Sequence, residues 1–306
     1  MGGQRRQDGA DNGLGLALIG FITFTFGDAM VKTMVAGVSP PEIAAIRFTI
    51  GALGLGLLVL LRKGRPAFGN QPWRWQLLRG GGITVATTAF FTAMSLMPLA
   101  TATSIGFTSP ILTSLLAAAL LGEKIRRPTV VAALAAFAGT LIILRPNFAA
   151  LGWAALLPLL AALGTAGMMV GNRAISGRTD PLVSQFWMAA IAAPLLILAA
   201  LVAHLSGAPK FALSVPAPHI WLLCSAVAVT ASTSHWLIYL ASRRSGAGTV
   251  APLTYVQLIV ALVLGAAVFG DRPDAVALAG AAVIIAAGLY LWRSNIRYMA
   301  DEMPQA

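Results

Sequence analysis

Three residues of unusual chemistry for an apolar segment lie close together near residue 235. His235, Trp236 and Tyr239 fall within about one helical turn of each other. An imidazole among apolar residues is costly to bury unless it faces a cavity. Aromatic faces beside a hydrogen-bonding group suit a ligand with one flat apolar end and one polar end. We therefore predict that these three side chains form part of a binding pocket.

Further polar side chains recur at helical spacing inside other apolar segments. Thr84 and Thr88 belong to one such stripe, Ser104 and Thr108 to a second, and Gln257 stands in the middle of a third. Gln257 carries both a donor and an acceptor, so it can contact a zwitterion. The alternative is that small hydroxyl residues let helices pack closely and bond to their own backbone. Both interpretations stay open for these five residues.

Two prolines, Pro110 and Pro252, lie in the first half of two apolar segments. A proline inside a helix removes a backbone hydrogen bond and permits a bend. We predict that these residues are hinges whose bending opens and closes a path through the protein. A tolerated kink is the alternative.

Ionisable residues inside the apolar segments are few. Asp28 and Lys32 are one turn apart in the first segment, and Arg47 lies in the second. Asp28 and Arg47 are each six residues from the connecting loop, so both are about 9 Å deep and can meet across a helical hairpin. The favoured interpretation is a structural charge pair that fixes helix register. Selection of substrates by charge and uptake of protons are the alternatives.

The residues that would signal an enzyme are missing from the sequence. The single cysteine, Cys224, cannot form an internal disulfide, and no His/Cys metal spacing occurs. There are no paired carboxylates, no nucleophile with a base and no phosphate-binding loop. We predict no catalytic residues, no metal and no cofactor, and hence no enzyme.

The composition explains what positions these residues. The chain has 306 residues, of which 58% are apolar and only 10% are charged, and its mean hydropathy is +0.82. Soluble domains average about 45–50% apolar and about 25% charged residues. A soluble enzyme, a disordered chain, a disulfide scaffold and a collagen-like fibre are therefore excluded, which leaves a membrane protein.

Long apolar runs separated by proline, glycine and charge predict an all-α polytopic protein, since a helix of about 20 residues crosses a bilayer. Breakers such as Ser39-Pro40-Pro41 and Asp180-Pro181 coincide with most boundaries. The ten predicted spans lie near residues 14–34, 41–61, 76–97, 101–121, 127–145, 150–172, 182–204, 219–241, 248–270 and 275–293.

The positive charges are distributed as a topology signal. With the N-terminus in the cytoplasm, sixteen Lys and Arg residues fall on the cytoplasmic side. Four fall on the opposite side, namely Lys32, Arg145, Lys210 and Arg272. Both termini are therefore predicted to be cytoplasmic. The net charge of +11 is spread over many loops instead of forming one patch, so nucleic-acid binding is excluded.

The two halves of the chain show a weak internal repeat. A shift of 148 residues places Leu121-Gly122-Glu123-Lys124 on Phe269-Gly270-Asp271-Arg272 and Phe107 on Tyr255. Each half holds five spans, an odd number, so the second half inserts inverted, as in many transporters with a central site. The predicted organisation is a polar cytoplasmic tail (1–13), a first repeat (14–146), a second repeat (147–293) and a cytoplasmic tail (294–306), with a cavity between the repeats.

Ten spans in two halves, with Gly122-Glu123 and Gly270-Asp271 closing the fourth and ninth, resemble the drug/metabolite transporter superfamily of EamA type. Asp271 stands where the family's Gly-Glu pattern has a glutamate, a difference that concerns gating more than family membership. Within the superfamily the chain looks most like the bacterial aromatic amino-acid exporters. The resemblance implies a bacterial inner-membrane protein, functional as a monomer, that exports small amphipathic metabolites, including aromatic amino acids, by alternating access. Import or exchange of a purine, vitamin or sugar derivative is the alternative. A membrane enzyme or receptor is disfavoured because, of the residues that such an enzyme would need, only His235 is present.

Overall fold

The computed structural model describes residues 2–122, 127–175, 177–245, 251–271 and 274–302, and the long elements in these ranges are all α-helices. Within those residues there is no β-strand. The helices are α1 (Gly2–Met34), α2 (Pro40–Lys63), α3 (Trp73–Met94), α4 (Leu99–Gly106), α5 (Ser109–Leu121), α6 (Arg127–Leu151), α7 (Leu157–Ile175), α8 (Pro181–Leu205), α9 (Pro218–Ser245), α10 (Val256–Phe269) and α11 (Ala275–Glu302).

Each of the ten predicted spans contains a helix, and most have the length and hydropathy needed to cross a membrane. Seven described segments meet both requirements, and two further apolar helices are shorter, Arg127–Ile143 and Leu253–Phe269. The remaining span, α3, is less apolar, because Gln76 and Arg79 lie in its first turns. At the two termini the helices are longer than predicted: α1 begins at Gly2 and α11 continues to Glu302. The chain is thus an all-helical, multi-pass membrane protein.

The fourth span is interrupted, and the described part of the ninth begins with a 3-10 turn, where the sequence suggested continuous helices. Phe107 and Thr108 separate α4 from α5, and Pro110 follows in the first turn of α5. In the second half a 3-10 turn, Ala251–Tyr255, precedes α10 and contains Pro252. Proline is accommodated in a first helical turn, where its missing N–H has no intrahelical partner to lose. Both prolines therefore lie at the start of a helical segment, and their role as hinges stays a prediction.

Close contacts between helices hold the bundle together. α1 packs along α9, α3 along α7, α2 against α8 and α6 against α11. At the α3–α7 contact, a Cβ atom built on Gly82 would lie 2.7 Å from the carbonyl oxygen of Gly164 and 2.7 Å from the amide nitrogen of Met168. Only glycine allows the two backbones to approach so closely. Small residues serve this purpose in membranes, where helix association depends on packing more than on the hydrophobic effect.

The two ends of the bundle are held together by different contacts. The Asp271 end, where α1 and α10 finish and α4 begins, holds the largest apolar cluster of the described residues, which includes Met34, Leu99 and Cys224. The opposite end is called here the Lys63 end. There the Lys63 Nζ lies 2.8 Å from a carboxylate oxygen of Asp180. The Asp271 end therefore combines this apolar cluster with the chain's buried helix ends, and the Lys63 end combines the ion pair with aromatic contacts such as that between Trp73 and Trp187, whose ring centroids are 4.7 Å apart.

Candidate site in a central cavity

A cavity of about 640 Å³ lies between the two halves of the bundle. That volume falls within the range of small-molecule sites, which is about 300–1,000 Å³. Residues from both halves form its wall, from α1 to α5 on one side and from α7 to α10 on the other. The described residues of α6 and α11 take no part in it. Helices of both halves of the chain thus enclose one compartment of a size that suits a small ligand.

Phenylalanine rings form the apolar part of the cavity wall. Six of them line it, namely Phe21, Phe24, Phe48, Phe90, Phe91 and Phe107. Aromatic faces bind flat apolar groups through stacked or edge-to-face contacts. This concentration of rings favours a ligand with an aromatic or other flat apolar portion.

The break in the fourth span places one of these rings against the other half of the protein. The ring centroids of Phe107 and Tyr255 lie 5.2 Å apart, in an edge-to-face arrangement. These two residues correspond under the 148-residue shift. Two positions related by the predicted repeat thus contact each other beside the cavity.

His235 lines the cavity, as predicted, and it contacts one of the phenylalanines. Its ring lies edge to face with that of Phe24, with centroids 5.6 Å apart. Gln257 also lines the cavity, and its amide nitrogen lies 3.3 Å from the hydroxyl oxygen of Thr254. The two predicted polar contacts therefore reach the same compartment from α9 and α10.

Trp236 and Tyr239 do not reach the wall of the cavity. Its residues on α9, which include Ala228, Ser232 and His235, form one helical stripe. A residue directly after His235 is rotated by about 100° around the helix. Trp236 accordingly points outward, with 49% of its surface exposed, and its ring lies 5.9 Å from that of Tyr239. This rotation explains why Trp236 lies outside the pocket that was predicted to contain it. Tyr239 is about one turn beyond His235, so the rotation does not apply to it; it follows Ile238, the last cavity residue on α9, and is not part of the wall.

The four predicted hydroxyl residues also lie outside the cavity wall. The side chains of Thr84, Ser104 and Thr108 donate hydrogen bonds to backbone carbonyl oxygens of their own helical turns. The hydroxyl of Thr88 has no partner in the described part of the chain. Backbone bonding, the alternative raised above, therefore accounts for three of the four. Their neighbours Thr87 and Thr103 line the cavity instead.

The predicted charge group divides between two places. Asp28 and Arg47 both line the cavity and attract each other electrostatically. Lys32 instead pairs with Asp271, at the end of α10. The same Asp271 oxygen lies 3.4 Å from the Leu99 backbone amide. Spans one, nine and four thus meet at the Asp271 end, a contact between residues too distant in the sequence to be foreseen.

Arg79 is a buried residue that the sequence analysis treated only as a topology charge. It is 3% exposed and donates to the side-chain oxygen of Gln76 at 2.6 Å and to the hydroxyl of Ser184 at 2.6 Å. It also donates to the side-chain oxygen of Asn172. These bonds join α3 to α7 and α8, and a further contact of 3.5 Å reaches the side-chain oxygen of the cavity residue Gln185. The polar residues Asn172 and Ser184, near helix ends, were the signal available in the sequence.

A multi-pass bundle that encloses a cavity between two sets of helices is the architecture of a membrane transporter. A family model described as the EamA-like transporter family matches residues 11–145 and again residues 152–293. The chain belongs to the EamA-like transporter family.

Relatives with named functions match along nearly their whole length. The chain is 29% identical over 286 residues to the pseudopaline exporter CntI of Pseudomonas aeruginosa, covering 93% of this chain and 97% of that protein. It is 27% identical over 278 residues to a riboflavin transporter of Rhizobium johnstonii, covering 90% and 89%. It is 24% identical over 291 residues to an S-adenosylmethionine uptake transporter of Rickettsia bellii, covering 95% and 97%.

A solved crystal structure has the same fold. It matches with a TM-score of 0.60 and 21% identity, covering 94% of this chain and 99% of the other. The family match and these relatives together identify a membrane transporter. The substrates in the relatives' names differ from one another, and none of those quoted is an aromatic amino acid.

Proposed function

We propose that this protein exports small amphipathic metabolites, including aromatic amino acids, across the bacterial inner membrane by alternating access. The observation that carries the proposal is the composition of the central cavity. Six phenylalanine rings supply a surface for a flat apolar group, and Asp28 and Arg47 supply one charge of each sign. An amino acid with an aromatic side chain has the complementary chemistry.

Alternating access further requires two halves that exchange their conformations, and two observations support such halves. The family model matches twice, over ranges close to the two predicted repeats. The helix packing is also symmetric, because exchanging the halves converts the α1–α9 contact into the α7–α3 contact. The α2–α8 and α6–α11 contacts map onto themselves under the same exchange. We propose that the halves are inverted repeats, with Pro110 and Pro252 at their hinges.

Import or exchange of a purine, vitamin or sugar-type metabolite is the second candidate. Two relatives are named for riboflavin and for S-adenosylmethionine uptake. A phenylalanine-lined cavity of this volume also suits a flat ring system. The two candidates differ in the charges that the substrate carries and in the direction of transport.

The proposal is tested by transport into proteoliposomes that contain the purified full-length protein. The panel is phenylalanine, tryptophan, threonine, riboflavin, adenosine and glucose, each measured with and without a pH gradient. We expect saturable movement of the two aromatic amino acids. Movement of riboflavin or adenosine alone would select the second candidate, and no movement of any compound would contradict the proposal.

A matched pair of variants asks whether the cavity is the transport path. Gly51 lines the cavity, and a Cβ atom built there meets no other atom within 4 Å. Gly51→Phe therefore places a ring in the cavity without a backbone clash and is expected to abolish transport. Gly54 lies on the same helix with equally open surroundings, but it does not line the cavity. Gly54→Phe is the control, and equal transport by the two variants would exclude this path.

A further inference from the structure

Asp28 and Arg47 are opposite charges whose hydrogen-bonding capacity the protein leaves unused. Asp28 is only 9% exposed. Among the residues that the structure describes, neither side chain forms a hydrogen bond or an ion pair within 4 Å. A buried charge without a hydrogen-bonding partner is costly, and inside membranes such residues mark substrate paths or cavities.

Several other charged residues among those that the structure describes are satisfied by the protein itself. Lys32 pairs with Asp271, and Lys63 pairs with Asp180. Arg79 donates to side chains on three helices. The two unsatisfied charges are therefore not a general property of this fold. They are confined to the cavity wall.

The position of Arg47 is determined by aromatic rings. Its guanidinium carbon lies 5.0 Å from the ring centroid of Phe48 and 5.5 Å from that of Phe91. Cation–π contacts of this kind orient the guanidinium group without using its N–H donors. Those donors remain available for an anionic group, and a guanidinium binds a carboxylate through two parallel hydrogen bonds.

We infer that Asp28 and Arg47 together bind the charged head of a zwitterionic ligand, with its apolar group among the surrounding phenylalanine rings. Asp28, an acceptor only, receives the ammonium group of the ligand, and Arg47 receives its carboxylate. The ligand thereby satisfies both charges at once. This inference rests on the proposed transport function, and it names the chemical class of the substrate: an α-amino acid or a compound with an equivalent pair of charges.

Three ligands that share a phenyl ring test the contributions of the two charges separately. Phenylalanine carries both, phenethylamine only the ammonium group and 3-phenylpropanoate only the carboxylate. Binding to the purified full-length protein is measured by equilibrium dialysis. We expect phenylalanine to bind about tenfold more tightly than either singly charged ligand, since charge-assisted hydrogen bonds contribute at least that much.

Variants at the two positions should lose complementary parts of this preference. Asp28→Asn is expected to weaken phenylalanine and phenethylamine about tenfold and to leave 3-phenylpropanoate within about twofold. Arg47→Gln should weaken phenylalanine and 3-phenylpropanoate and spare phenethylamine. Lys63→Gln removes a charge far from the cavity and is the control, for which no change is expected.

Conservative variants guard against loss of folding. Asp28→Glu and Arg47→Lys keep the two charges and should retain the ranking of the three ligands. The inference is overturned by wild-type protein that binds phenethylamine as tightly as phenylalanine. Equal losses for all three ligands in Asp28→Asn would also overturn it, because a purely structural charge pair has that effect.

The outcome is separable from that of the proposed function. Binding with the expected pattern but no movement into proteoliposomes would contradict the transport proposal and leave the head-group site standing. Movement of riboflavin through the cavity, with none of the three phenyl ligands bound, would refute the head-group site and leave transport standing.

Discussion

Replacement of Gly82 by alanine tests whether the contact between α3 and α7 holds the two halves together. The added Cβ would lie 2.7 Å from two backbone atoms of α7. Backbone atoms cannot rotate away as a flexible side chain can, so the helices must separate. Overpacking of this kind costs about 1–3 kcal/mol, and two backbone contacts at one position place Gly82→Ala in the upper part of that range.

Gly54→Ala provides the matched control. Gly54 also lies within a helix, but a Cβ atom there meets nothing within 4 Å. Because alanine has the higher helix propensity, Gly54→Ala is expected to raise the free energy of unfolding by about 0.5–1 kcal/mol. Reversible unfolding of the purified proteins by titration with sodium dodecyl sulfate in mixed micelles measures both free energies.

Gly164 supplies a second check on the same contact. A Cβ atom there would lie 2.6 Å from the amide nitrogen of Ala86. The double variant Gly82→Ala/Gly164→Ala should lose less stability than the two single losses added together, since one separation of the helices relieves both clashes. Equal unfolding midpoints for Gly82→Ala and Gly54→Ala would refute the reasoning.

Three further predictions concern the Asp271 end, the cavity wall and the topology. Asp271→Asn removes the charge that joins three spans at the Asp271 end. The native Cys224, which is fully buried at that end, should then react several-fold faster with N-ethylmaleimide. An unchanged rate would contradict this role for the ion pair. Phe24→Ala should weaken phenylalanine binding about two- to tenfold through a lost ring contact. Trp236→Ala changes a residue outside the cavity, so the affinity for phenylalanine should change by less than about twofold. The reverse ranking would contradict the assignment of Phe24, and not Trp236, to the cavity wall. A cysteine introduced near Gly64, in a Cys224→Ser background, should not react with a membrane-impermeant maleimide in intact cells, and external labelling would contradict the predicted topology.

The spans could be predicted from the sequence because each depends on local properties. An apolar run of sufficient length, ended by proline, glycine or charge, has few other solutions in a membrane. The interruption of the fourth span was harder to place, since Pro110 is compatible with both a kink and a new helix start. In the structure, Phe107 and Thr108 lie between two helices, so Pro110 belongs to the start of a new helix.

The cavity wall was only partly predictable, because polar and aromatic residues occur on more than one face of the helices concerned. On α9, His235 faces the cavity and Trp236 faces outward, so composition alone cannot assign the face. Contacts between distant segments, such as Lys32 with Asp271, depend on how the halves pack and leave no local pattern. Glu123, which the repeat pairs with Asp271, lies outside the described residues.

The contact between Phe107 and Tyr255 has a consequence for the motion itself. A two-fold axis relating the proposed repeats carries each ring onto the other, so the pair is its own image. When the halves exchange their conformations, the same contact forms again between the same two rings. The Lys32–Asp271 ion pair is different, since the axis carries it to the opposite end of the bundle. A symmetric cycle therefore breaks that ion pair once in every turnover, whereas the contact between the two rings is present in both end states.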